Sequence, residues 1–182
     1  SSAGRAPWRA NSTAAARPHP PRIPVLVDCD NTMGEHRNDI DDGLAILMLL
    51  GAGVKLVGVT TSFGNGSLEQ AERRTRELLR SVGRADVPVV RGAAHAGDLE
   101  TPAAAFIADM AGRHPQSLSI LAIGPLTNLH GALVREPEVG GRLGGVYAMG
   151  GYLKRLRFLR REVQELNLSA DPAAAHAVLS AP

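Results

Sequence analysis

Cysteine is almost absent from this chain: among 182 residues only Cys29 occurs, which excludes a disulfide framework and any cysteine-rich zinc site. That scarcity suits a reducing compartment, and a cytoplasmic location is the expectation. Aromatic residues are also scarce, at 3%, so aromatic platforms for stacking bases are not available in number. Long hydrophobic runs are missing as well. The best candidate, Leu44 to Leu50, falls far short of the roughly 18 residues of a membrane span. Acidic residues are missing from two stretches, Ser1–Pro24 and Tyr152–Arg161, which hold much of the positive charge. The net charge is only +2, so the remainder of the chain is acidic, and neither nucleic acid nor a membrane surface is an expected partner.

What is present is globular in character, with 44% hydrophobic and 21% charged residues. Residues 1–24 have no apolar period and are rich in Pro, Ala, Ser and Arg, so they read as a flexible leader. Residues 25–182 form the expected domain. From Ile23 onward short apolar runs alternate with segments of helical period. IPVLVD, KLVGVTT, Val87–Val90, Leu118–Ile123 and GVYAM read as strands. Asp41–Leu50, Ser67–Val82, Pro102–Gly112, Leu126–Val134 and Pro172–Leu179 read as helices. The predicted class is α/β: a doubly wound, mostly parallel sheet with helices on both faces, of Rossmann-like topology.

Ligands of such sheets bind beyond the carboxyl ends of the strands, where the unusual polar residues of this chain collect. Asp28 and Asp30 stand two apart at the end of the first strand, so their side chains share one side, and Cys29 between them points the other way into the core. Asp41 and Asp42 open the next helix, where Asp41 could cap it and Asp42 complement its dipole. Four carboxylates on one loop repel one another unless a cation lies among them, and an all-oxygen set suits Ca²⁺ or Mg²⁺. Other signals are weaker. Gly64-Asn65-Gly66 lacks the third glycine of a dinucleotide fingerprint. The basic run LKRLRFLRR reads as a solvated face or loop. His36, His95, His114, His130 and His176 have no metal-ligand spacing, although His95 follows the third strand and could reach a pocket mouth. Arg73, Arg74 and Arg76 with Glu69, Glu72 and Glu77 read as a salt-bridged helix face.

Two families begin in this way. VLVDCDNTM is similar to the opening of haloacid-dehalogenase-like phosphatases, which would make Asp28 a nucleophile, Asp30 an acid/base and Mg²⁺ the phosphate's partner. The rest of that machinery, a distal lysine and a late acidic pair at a strand end, has no counterpart here. A second resemblance covers about Ile23 to Leu179. DCDN, DIDDGLAILMLL, LVGVTTSFGN, VPVVRGA, LAIGPLTNL, AMGG and ELNLSADPAAA, in this order, resemble the inosine–uridine-preferring nucleoside hydrolases.

That second resemblance implies hydrolysis of the N-glycosidic bond of ribonucleosides to ribose and free base, in purine and pyrimidine salvage, by a water bound to Ca²⁺. By position, Asp30 would be the general base and also a metal ligand. Asp28, Asp42 and the backbone carbonyl of Ile123 would complete the calcium ligands. Asp41, Asn65, Glu165 and Asn167 would hold the ribose hydroxyls, and Met149 would line the sugar face. The nucleoside is the expected partner, with a homo-oligomer possible. The sequence departs from the family in the residues Glu35, His36 and Arg37 of its first loop and in LKRLRFLRREVQ, where an asparagine is usual. The family's C-terminal segment, with a further calcium-binding aspartate and a histidine that assists the leaving base, is expected to be lacking. A non-catalytic relative that binds ribosides is therefore the other alternative to carry forward.

Overall fold

The computed structural model describes residues 23–154, 156–158, 161–163 and 165–181. The leader expected over 1–24 lies outside the described residues except for Ile23 and Pro24, and Pro24 opens the first strand. A five-stranded parallel sheet forms the centre. Its strands are β1 (Pro24–Cys29), β2 (Lys55–Thr61), β3 (Val89–Arg91), β4 (Ser119–Ala122) and β5 (Gly145–Ala148), in the order β3-β2-β1-β4-β5. The order reverses on either side of β1, so the switch point of the doubly wound fold lies between β1 and β4.

The connecting helices form for local reasons that the sequence displays. In α2 (Leu68–Ser81), Ser67 caps the start and Gln70 returns a bond to it. Its inward residues Leu68, Ala71, Thr75 and Leu79 recur at helical spacing. α3 (Pro102–Arg113) starts at Thr101 with Pro102 in its first turn, and α7 (Pro172–Leu179) starts at Asp171 with Pro172 in the same place. α1 (Asp41–Gly51) and α4 (Thr127–Arg135) complete the long helices, with single-turn helices α5 (Val139–Arg142) and α6 (Asn167–Ala170) between them.

Alternation along β1 divides the core between two faces. Val27 and Cys29 pack with Ile46 of α1 and Leu79 of α2, while Leu26 packs with Ile107 of α3 and Leu129 of α4. Helices therefore cover both faces, as the apolar pattern predicts, and Cys29 is fully buried away from its flanking aspartates' side. Two expectations need correction. The basic run is not simply a loop, because Leu156–Phe158 (β6) and Arg161–Val163 (β7) pair antiparallel in a small separate sheet. Asp41 does not cap α1: Ile40 holds the cap position without a side-chain bond, and both aspartates lie in the first turn.

Candidate active site

A cavity of about 380 Å³ opens at the carboxyl ends of the strands. Asp30, Asp41, Asp42, Asn65, Ile123, Met149, Glu165 and Asn167 all line it. Residues 100 positions apart in sequence, Asn65 and Glu165, thus meet at one opening. Among the described residues that line it there is no Lys, Arg or His, and four are carboxylates besides Asp39. Sequence reasoning missed Asp39, Tyr152 and Leu166, which also line it.

Asp30 sits just past β1 and is almost fully buried. Its backbone N–H donates to Asp42 Oδ2 at 2.9 Å, and its own Oδ2 accepts the Asn65 N–H at 2.5 Å. The approach is possible because Gly64 has a φ of +144° and no side chain; a Cβ there would stand 2.0 Å from Asp30 Oδ2. Gly64→Ala must therefore displace the carboxylate. We expect about tenfold or more loss of turnover and roughly 1–3 kcal/mol of stability, read by steady-state kinetics and thermal melting.

Burial dominates the electrostatics of the three inner carboxyls. It raises Asp30 above its usual value, and it raises Asp42, with the charge of Asp30 adding to it, to about 9. Asp28 is fully buried and does not line the cavity. Its Oδ1 accepts from Thr60 Oγ1 at 2.6 Å and from Asn128 Nδ2 at 2.8 Å, while Oδ2 has no partner. Burial raises it to about 6 despite those two donors. A nucleophile must reach its substrate, so this enclosure speaks against the phosphatase arrangement.

The remaining predicted residues are bonded chiefly to one another. Asn167 Nδ2 donates to the Ile123 carbonyl at 2.7 Å and to that of Met149 at 3.0 Å, tying the ends of β4 and β5 together. Glu165 accepts the N–H groups of Asn167, Leu168 and Ser169 at 2.7–3.0 Å, fastening the start of α6. Burial pushes the Glu165 carboxyl up, but these bonds and one from Gly151 outweigh it and hold it below its usual value. Asp41 is exposed at the cavity rim, and Met149 is half-exposed.

Among the described residues no three Asp, Glu, His or Cys side chains are gathered to hold a metal ion by themselves. The donor chemistry nevertheless fits a hard cation. Asp30, Asp42 and the Ile123 carbonyl present oxygen to one cavity, and two of them are buried acids whose ionised forms lack a positive neighbour among the described lining residues.

Comparison with known proteins follows the same outline. The family model described as inosine-uridine preferring nucleoside hydrolase matches residues 25–182. A probable uridine nucleosidase 2 of Oryza sativa subsp. japonica is 30% identical over 186 residues, covering 86% of this chain and 53% of the relative. The inosine-uridine preferring nucleoside hydrolase of Leishmania major is 29% identical, covering 86% of this chain and 56% of its own. The solved purine-preferring ribonucleoside hydrolase of Gardnerella vaginalis is 27% identical with a TM-score of 0.74, over 87% of this chain and 58% of that one. A plant nucleoside hydrolase, 24% identical, shares the fold with a TM-score of 0.75 over 88% of this chain and 57% of its own. The chain spans about half the length of the curated relatives it matches.

Proposed function

Since the chain belongs to the inosine-uridine preferring nucleoside hydrolase family, we propose that it hydrolyses the N-glycosidic bond of ribonucleosides to ribose and free base. The observation that carries this reading is the cavity at the strand ends, where Asp30, Asp41, Asp42, Asn65, Glu165 and Asn167 meet with no cationic side chain among the described lining residues. Vicinal ribose hydroxyls need acceptors such as Asp41 and mixed donor–acceptors such as Asn. Carboxylates around a ribose stabilise the positive charge that its ring acquires as the base departs.

In this reading Asp30 takes a proton from the attacking water. The water oxygen bonds to the anomeric carbon, and the carbon–nitrogen bond breaks with its electron pair on the base, which takes up a proton from solvent while Asp30 later returns its own to solvent. A carboxyl held above its usual range by burial suits a base working nearer neutral pH. Asn65, through its N–H, keeps the Asp30 carboxylate oriented. Calcium is the proposed cofactor, with Asp30, Asp42 and the Ile123 carbonyl to hold it. Asp28, the fourth ligand that the resemblance implies, lies outside the cavity lining. A bound divalent cation would lower the pKa of its water. Product analysis with inosine, uridine, adenosine, cytidine and p-nitrophenyl phosphate tests the reaction class. Free base and ribose are expected; phosphate release instead would revive the phosphatase reading.

The inner acids also predict a pH dependence. Asp42 rises from its usual 3.8 to about 9 and Asp28 to about 6, so the folded protein holds protons that the unfolded chain gives up. The stability they lend is full below pH 3.8 and is lost as pH rises through those values. Calcium favours the ionised carboxylates and offsets the loss. The gain in Tm on adding calcium should therefore be larger at pH 8 than at pH 5.5, as followed by thermal scanning. A gain independent of pH contradicts this account.

A further inference from the structure

The loop 31–40 between β1 and α1 has few apolar anchors, and most of its residues from Gly34 onward are exposed. Polar contacts hold it at two ends. At the outer end Glu35 accepts charge-assisted hydrogen bonds from Arg73 and from Arg74 Nε, the latter at 2.9 Å; Arg74 is itself bound to Glu77 at 2.9 Å. These arginines project from α2, the helix that follows the Gly64–Gly66 turn. At the inner end Asn38 Nδ2 donates to the Asn65 carbonyl at 2.8 Å. The Asn65 side chain spans the loop: Nδ2 donates to Thr32 Oγ1 at 2.7 Å and to the Asp39 carbonyl at 3.1 Å, and Oδ1 accepts the Asp39 N–H at 3.3 Å. The Asn65 N–H donates to Asp30 Oδ2.

A continuous path therefore runs from Arg73 and Arg74 through Glu35 and the loop to Asn65 and Asp30. Glu35 is not among the residues lining the cavity. We propose that Glu35 is a positioning residue: fastened to Arg73 and Arg74, it holds the loop, and the loop holds Asn65 in the orientation from which its N–H sets the Asp30 carboxylate. The catalytic consequence rests on the nucleoside-hydrolase reading; the mechanical one does not. Replacing the carboxylate by a neutral amide removes the charge from two arginine contacts at once, whereas aspartate keeps the charge on a shorter arm.

The test compares the full chain with its Glu35→Gln and Glu35→Asp variants. Three readouts are followed: tryptic cleavage after exposed Arg37, hydrogen exchange of the Asn65 backbone and side-chain amides by ¹⁵N NMR, and the split between kcat and KM. Glu35→Gln should speed cleavage and Asn65 exchange by about fivefold or more while the core amides stay protected. It should lower kcat by about tenfold, because Asp30 is misplaced, and raise KM by a smaller factor, because Asn65 and Asp39 line the cavity as well. Glu35→Asp should recover part of each effect. Unchanged cleavage and Asn65 exchange in Glu35→Gln overturn the proposal, and so does faster loop cleavage with the Asn65 backbone amide as protected as before. If the unaltered chain releases no ribose, the hydrolase reading fails, while cleavage and exchange still decide whether Glu35 holds Asn65.

Discussion

Asp30→Asn is expected to lower nucleoside turnover by about 10³-fold, within the usual range for loss of a general base, while the fold survives. The substitution keeps the shape, and an amide oxygen can still accept the Asn65 N–H now 2.5 Å from the carboxylate. It removes a buried charge that helps to raise Asp42. The Asp42 carboxyl should then fall toward its usual value, and the metal-free variant should match or exceed the parent's Tm at pH 8. Steady-state kinetics and melting on one preparation read both effects. More than a tenth of the parent's turnover, or a collapsed melt, would contradict the role given to Asp30.

Asn128→Ala should produce the largest loss of stability of any single change near the site, about 3–4 kcal/mol, since it strands buried polar groups at both ends of the amide. Oδ1 of this fully buried residue accepts the Ala93 N–H at 2.8 Å. Nδ2 donates to Asp28 Oδ1 at 2.8 Å and to the Thr61 carbonyl at 3.2 Å. One side chain thus joins β1, the end of β2 and the turn after β3. In a domain of this size the loss corresponds to roughly 8–12 °C in Tm. The hydrogen bond from Asn128 lowers the Asp28 pKa, so its removal raises that value above about 6. Ionising Asp28 in place then costs more, and the deficit should be greater at pH 8 than at pH 5. A variant within about 1 kcal/mol of the parent at both pH values would refute this assignment.

The architecture was legible because it is written in local pattern. Alternation in PVLVDC assigns Cys29 to one face and Asp28 to the other, and the structure keeps that division. The helices read from Ser67, Pro102 and Pro172 start within a residue of those positions, capped in the structure by Ser67, Thr101 and Asp171. Of the cavity lining, Asp30, Asp41 and Asp42 could be located from their places at a strand end and a helix start. What escaped depends on partners distant in sequence. Asp28 meets Asn128 across 100 positions, and neither has a neighbour that announces the bond. Asp39 reaches the cavity because the Asn65 amide holds its backbone, 26 positions away. β6 and β7 are three residues each, too short for alternation to stand out against the charge of the basic run. Glu165 lies at the predicted opening, yet its oxygens fasten the first turn of α6, a helix whose four residues leave no period to read.

The central claim is the release of ribose from an N-riboside by the cavity's own carboxylates and a calcium ion. Reducing-sugar release from uridine and inosine, in calcium, after chelation and after calcium is restored, tests it most directly. Release is expected in calcium, with its loss to the chelator and its return with the cation. Absence of ribose from every nucleoside in calcium, by a protein that melts cooperatively, would contradict it and leave a riboside-binding relative without turnover.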